Sequence, residues 1–190
     1  MPFKPLEAVG YCWVLLGLFW LAGKLFTKPT QRAQSLGGDL LHLLPFLAGA
    51  ALIGGYFFRG TWLDSRFIAH TSAVELAGLA MTLAGCLFAA TARLILGENW
   101  SGRPTVKAGH RLIVNGPYAL ARHPIYTGFV VALAGTTLAY GLWRCIIGFA
   151  IVLPGLAIKM RQEERLMMQT FPQDYPEYRR RVKALIPGVF

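Results

Sequence analysis

Residues 116–129 read GPYALARHPIYTGF, and within them Arg122-His123-Pro124 stands directly before a long apolar run. Proline is pre-organised for the first position of a helix, where its missing N–H would be an orphan anyway. The amides beyond it carry partial positive charge and favour an anion. Arg122 adds a full charge and His123 a directional donor, so the corner suits a carboxylate or a phosphate. A plainer reading stays open: Arg122 obeys the positive-inside rule and His123 caps the helix. Tyr118 and Tyr126 flank the corner; their faces would attract a cation, or they belong to an interfacial aromatic belt. Further along, Glu163 and Glu164 stand together in a basic tail. Lys159 lies four residues before Glu163, on the same helical face, so Glu163 either forms an ordinary ion pair or receives a ligand ammonium.

An anion receiver, a carboxylate for an ammonium and aromatic faces for a diffuse cation together match an amino acid that carries a sulfonium. S-adenosylmethionine is that ligand. Its adenine would need an apolar slot, which Leu112-Ile113, between His110 and Tyr118, could line.

The elements that must hold these groups are apolar. The chain has 190 residues, 55% of them hydrophobic and 15% charged, with a mean hydropathy of +0.46. Soluble domains carry more charge than this. The formal net charge of +10 would fit nucleic acid in a polar chain; here the basic residues read as topological signals, and no nucleic-acid partner is expected. The three cysteines, Cys12, Cys86 and Cys145, sit far apart in apolar runs, with no spacing for a metal or a disulfide framework.

A spanning helix needs roughly 20 apolar residues. Five segments qualify in outline, near Leu6–Phe26, Leu40–Phe58, Leu76–Ala92, Ile125–Tyr140 and Leu142–Ile158. Thr71-Ser72 supplies an N-cap for the third, Tyr140-Gly141 breaks the last two into a hairpin, and Pro154 should kink the fifth. The first segment reads as a retained helix rather than a signal peptide. With these spans, 15 Lys and Arg fall on one side and 4 on the other. The bias puts the third connection and the tail in the cytosol and the N-terminus outside. The fold expected is all-α and polytopic, a single membrane domain over 1–190, with helices in 1–93 and the motif-bearing half in 94–190.

The stretch HRLIVNGPYALARHPIYTG (110–128), followed by the Glu163-Glu164 block and the tail Phe171…Tyr175…Tyr178, resembles the isoprenylcysteine carboxyl methyltransferase family. That family's pattern looks like H-x-L-[VI]-x-x-G-x-Y-x-x-x-R-H-P-x-Y-x-G, then E-E and F-G-x-x-Y-x-x-Y. Phospholipid N-methyltransferases share a looser form. Asn99-Trp100-Ser101 also resembles the entry to this region. The resemblance implies an integral membrane enzyme that uses S-adenosylmethionine and releases S-adenosylhomocysteine. By position it implies that His110, Leu112 and Ile113 hold the adenosine end. Tyr118, His123, Pro124 and Tyr126 would line the methionine part, and Glu163 would meet its ammonium. The family's substrate-side arginine falls on Lys159, which cannot make a bidentate fork, and the F-G step is Phe171-Pro172. Arg122 and Glu164 are the other residues expected on the acceptor side. No catalytic base is assigned and no metal is expected, although His110, His123 and Glu163 are the residues from which one would be built.

The implied reaction is methyl transfer to a lipophilic acceptor that enters from the bilayer, an isoprenylcysteine-like carboxylate first of all. A phospholipid amine or a small thiol is the alternative within methyl transfer. A membrane reductase binding NADPH is the alternative outside it, with Arg103, Lys107 and Arg111 available for a 2′-phosphate; a non-enzymatic membrane subunit is the remaining one. His42 and His70 read as packing or interfacial residues.

Overall fold

The computed structural model describes residues 4–27, 30–33, 36–100, 105–107 and 112–186. These form helices α1 (Pro5–Lys24), α2 (Leu36–Gly54), α3 (Ser72–Leu96), α4 (Pro117–Leu120), α5 (Pro124–Tyr140), α6 (Trp143–Thr170) and α7 (Asp174–Arg181). A two-stranded antiparallel ribbon, β1 (Thr30–Ala33) with β2 (Thr105–Lys107), is the one departure from the all-α expectation among the described residues.

Three helices are long and apolar enough to cross a membrane: α1, α3 together with the turn that carries it to Asn99, and α6. The Leu40–Gly54 part of α2 and all of α5 are shorter apolar helices. Three of the five expected spans are therefore helices of full spanning length, and the other two fall on helices shorter than that. Local sequence sets these limits. Thr71 Oγ1 accepts from the Val74 amide at 3.3 Å and opens α3 as anticipated. Gly141 ends α5 in the left-handed conformation, φ +63°, which glycine adopts without a Cβ clash. By contrast, α6 continues unbroken through Pro154 and far past Ile158 to Thr170. Its polar end, KMRQEERLMMQT, consists almost wholly of strong helix formers. Glu163 and Glu164 thus sit on the same rigid helix as the apolar span.

Two tight seams build the bundle. On the antiparallel α3–α5 seam, a Cβ at Gly85 would lie 2.4 Å from the Ala132 nitrogen, and one at Gly135 would lie 2.5 Å from the Thr82 nitrogen. Thr82 Oγ1 donates to Gly78 O at 2.9 Å inside this seam. Gly78, Thr82 and Gly85 therefore pack helices rather than line a site, as small residues do in membrane bundles. On the α2–α6 seam, Cβ atoms at Gly49 and Gly148 would each meet the other residue's carbonyl oxygen, at 2.6 and 2.7 Å.

The connections pair by end of the bundle. β1, after α1, pairs with β2, after α3. At the other end, the Phe67 amide donates to Gly141 O at 2.9 Å and Arg144 pairs with Asp64 at 2.9 Å, tying the α2–α3 connection to the α5–α6 turn. The tail returns to the first end, where the Arg122 and His123 amides donate to Lys183 O and Ala184 O at 2.8 and 2.9 Å. Cys86 and Cys145 are buried free thiols, Cys12 a partly buried one.

Candidate active site

The Arg-His-Pro corner starts α5 with Pro124 in its first turn, as its sequence requires. His123 occupies the N-cap position, but its side chain makes no capping bond. Its ring is turned instead toward α6, with Nδ1 3.6 Å from Glu163 Oε2 and Nε2 3.4 Å from Glu164 Oε1. Burial alone would lower the pKa of this imidazole. The two carboxylates outweigh burial and hold it above its ordinary 6.5, so His123 is biased toward the charged form.

Tyr126, one turn along α5, stacks on His123 with ring centroids 5.6 Å apart and donates from its hydroxyl to Glu163 Oε1 at 2.5 Å. Lys159 Nζ lies over the Tyr126 ring, 5.6 Å from its centroid. An imidazole, a phenol and an ammonium thus surround one carboxylate, that of Glu163.

Glu164 has a different neighbourhood. Arg122 reaches its Oε1 through both Nε, at 2.8 Å, and Nη2, at 2.5 Å, while Arg179 Nε lies 3.5 Å from Oε2. Nη1 of Arg122 donates to the Val182 carbonyl at 2.5 Å. Arg122 and Glu164 therefore clamp the chain end beyond α7 against the start of α5. Tyr175 and Tyr178 fill the space beneath, each 3% exposed. The Tyr178 hydroxyl, pushed up to about 12 by burial, stays protonated and donates to Tyr118 O at 2.6 Å.

One cavity of about 530 Å³ gathers these groups. That is within the roughly 300–1,000 Å³ typical of small-molecule sites. Leu112, Ile113, Tyr118, Arg122, His123, Pro124, Tyr126, Lys159 and Glu163 all line it; Glu164 does not. His110 lies outside the described residues. The lining also includes Trp100, named above only as part of the family-like entry, and His42, expected to be a packing or interfacial residue; sequence reasoning passed over Trp20 from α1, Phe46 from α2, Phe129 and Met167. The cavity is therefore not confined to 94–190. Phe129 was within reach of the helical period from Tyr126; Trp20 and Phe46 sit in helices that are apolar all round and give no such signal.

The arrangement is amphiphilic. Trp100, Leu112, Ile113 and Phe129 make an apolar compartment, and Glu163 with its cationic and phenolic neighbours makes a polar end. A ligand with a flat apolar group and an α-amino acid head fits both. The lining residues supply what S-adenosylmethionine would need, and nothing in that set calls for a metal.

Comparison with known proteins agrees. The family model described as Isoprenylcysteine carboxyl methyltransferase (ICMT) family matches residues 78–169. Protein-S-isoprenylcysteine O-methyltransferase B of Arabidopsis thaliana is 30% identical over 153 residues, which cover 79% of this chain and 72% of the relative. Protein-S-isoprenylcysteine O-methyltransferase of Schizosaccharomyces pombe is 28% identical over 197 residues, covering 95% and 84%. A nickel-cobalt-cadmium resistance protein, NccN, of Alcaligenes xylosoxydans xylosoxydans is 31% identical over 141 residues, covering 72% and 58%.

Proposed function

The chain belongs to the isoprenylcysteine carboxyl methyltransferase family, and from that membership we propose that it methylates the carboxylate of an isoprenylcysteine-like lipid with S-adenosylmethionine. The observation that carries this reading is the placement of Glu163. Its carboxylate accepts from Tyr126, faces His123 and lines an apolar cavity built by membrane helices.

S-adenosylmethionine supplies an electrophilic methyl group on a sulfonium. Glu163 would accept its ammonium, and His123 with the first amides of α5 would hold its carboxylate. Leu112, Ile113 and His110 hold the adenosine end, and Tyr118, Pro124 and Tyr126 pack along the methionine part. Lys159, on the α6 turn before Glu163, offers its charge to the acceptor. Arg122 shares that role at the cavity wall, while Glu164 acts through Arg122 by fixing its guanidinium.

A carboxylate acceptor is ionised at neutral pH, so the chain needs no general base. What its residues contribute is alignment, which can supply roughly 7–11 kcal/mol in favourable cases. The α7 clamp and the buried tyrosines exclude water from the site, which strengthens every charge interaction within it.

The membrane arrangement follows the same lines: five crossings, N-terminus outside, cavity and tail in the cytosol. Two observations support it. The 15-to-4 charge bias points that way. The connections also pair alternately at the two ends of the bundle, as successive crossings require. The direct test is transfer of labelled methyl to an S-prenylcysteine by the purified protein.

A further inference from the structure

The cavity has two walls. One, from Leu112 to Phe129 with Glu163, is taken up by the cofactor on the reading above. The other comes from α1 and α2, and no residue on it has a role. His42 is the buried polar group of that second wall, 6% exposed on a helix that is otherwise apolar around it. Burying an imidazole without use for its polar atoms is costly. One atom is satisfied: Nδ1 lies 3.1 Å from Gln162 Oε1. Among the described residues no hydrogen bond to Nε2 is found, and the ring lines the cavity.

The seam between α2 and α6 holds this pair rigidly. Gly148, Gly155 and Gln162 recur every seven residues, on one stripe of α6. Opposite them on α2 stand Gly49, then Pro45, then His42. A Cβ at Gly155 would lie 3.0 Å from Pro45 Cβ and 3.1 Å from His42 O. The helices therefore approach closely about two and four turns before Gln162 on α6, and His42 meets Gln162 where the stripe changes from small to polar. Gln162 adjoins Glu163 in sequence, so the helix that carries the cofactor's ammonium receptor also orients His42.

Resting on the methyltransferase reading, we infer that His42, held through Nδ1 by Gln162, is the hydrogen-bonding contact for the polar head of the methyl acceptor. With Nδ1 engaged, Nε2 is the polar atom left to the ring, on a side chain that lines the cavity. The α2 wall thus selects the acceptor's head group, and the α4–α5 wall selects the cofactor.

The test uses the full chain in detergent, with an N-acylated S-prenylcysteine as acceptor and S-adenosylhomocysteine as cofactor probe. His42→Leu should raise the acceptor KM about tenfold or more, as expected for one lost hydrogen bond to a charged group. The Kd for S-adenosylhomocysteine should stay at the wild-type value. His42→Gln, which returns an amide near the position of Nε2, should recover part of the loss. Gln162→Leu should raise KM less than His42→Leu, and serves with His42→Gln if His42→Leu does not fold. Wild-type KM in all three variants overturns the inference. So does a loss of S-adenosylhomocysteine affinity in step with KM, which marks a merely structural residue. Wild-type protein that binds no S-adenosylhomocysteine overturns the cofactor reading, and this inference with it.

Discussion

Tyr126 donates a 2.5 Å hydrogen bond to Glu163, joining the first turn of α5 to the polar end of α6. These residues are 37 apart in sequence, and the bond forms only because α6 runs on past its apolar span. The carboxylate so fixed is the centre of the site, and both His123 and Lys159 contact the Tyr126 ring.

Glu163→Gln keeps the shape of this side chain and removes its charge. A hydrogen bond to a charged group is worth about 1.5–3 kcal/mol. Affinity for S-adenosylhomocysteine should fall about ten- to hundred-fold, measured by calorimetry on variants with unchanged helical content. His123→Ala should fall in the same range, because it faces the same part of the cofactor.

The raised pKa of His123 makes stability depend on pH in a definite direction. The group binds its proton more tightly folded than unfolded, so its contribution is fully present below the unfolded value of about 6.5. It is lost as pH rises through the higher folded value. Glu163 and Glu164 face the ring, and both are held below the ordinary carboxylate range, so they stay charged across this window. Thermal unfolding of the wild type should therefore drop in temperature as pH rises above about 6.5. His123→Gln should flatten that slope. An equal slope in the variant would assign it to another group.

The α3–α5 seam should reject even one carbon. Gly85→Ala places a Cβ against the backbone of Ala132, and overpacking of this kind typically costs about 1–3 kcal/mol. Gly10→Ala on α1 meets nothing within 4 Å and should leave the unfolding temperature unchanged or slightly raised. Paired unfolding scans in one detergent compare the two.

How much of this the sequence carried depends on the type of signal. The corner was legible because proline and glycine act locally: Pro124 opens α5 and Gly141 closes it, with no help from the rest of the fold. Gathering Tyr118, His123, Tyr126 and Glu163 around one ligand was legible from their chemistry taken together with the family pattern; taken singly, each also fits an aromatic belt, a helix cap or an ion pair. Two things were not. The α2 wall, with His42 and Phe46, lies on a helix apolar on every side, where periodicity cannot say which face is inside. The role of Arg122 and Glu164 as a clamp depends on the chain end returning over α5, a long-range contact that no local pattern encodes.

Orientation can be checked with reporter fusions. A fusion at Phe190 should report the cytosol and one inserted at Arg66 the outside, since these positions belong to opposite ends of the charge bias. A Phe190 fusion reporting the outside would invert the arrangement and strand the cavity from its cofactor.

The most direct measurement is methyl transfer itself. Purified protein in liposomes is given methyl-labelled S-adenosylmethionine and a panel of a prenylcysteine carboxylate, a phospholipid amine and a lipophilic thiol. The account predicts label in the prenylcysteine as a base-labile methyl ester, and about ten- to hundred-fold less after Glu163→Gln at cofactor concentrations well below the wild-type Kd. Label appearing only in the amine or the thiol, or NADPH rather than S-adenosylhomocysteine raising the thermal stability of the protein, would contradict it.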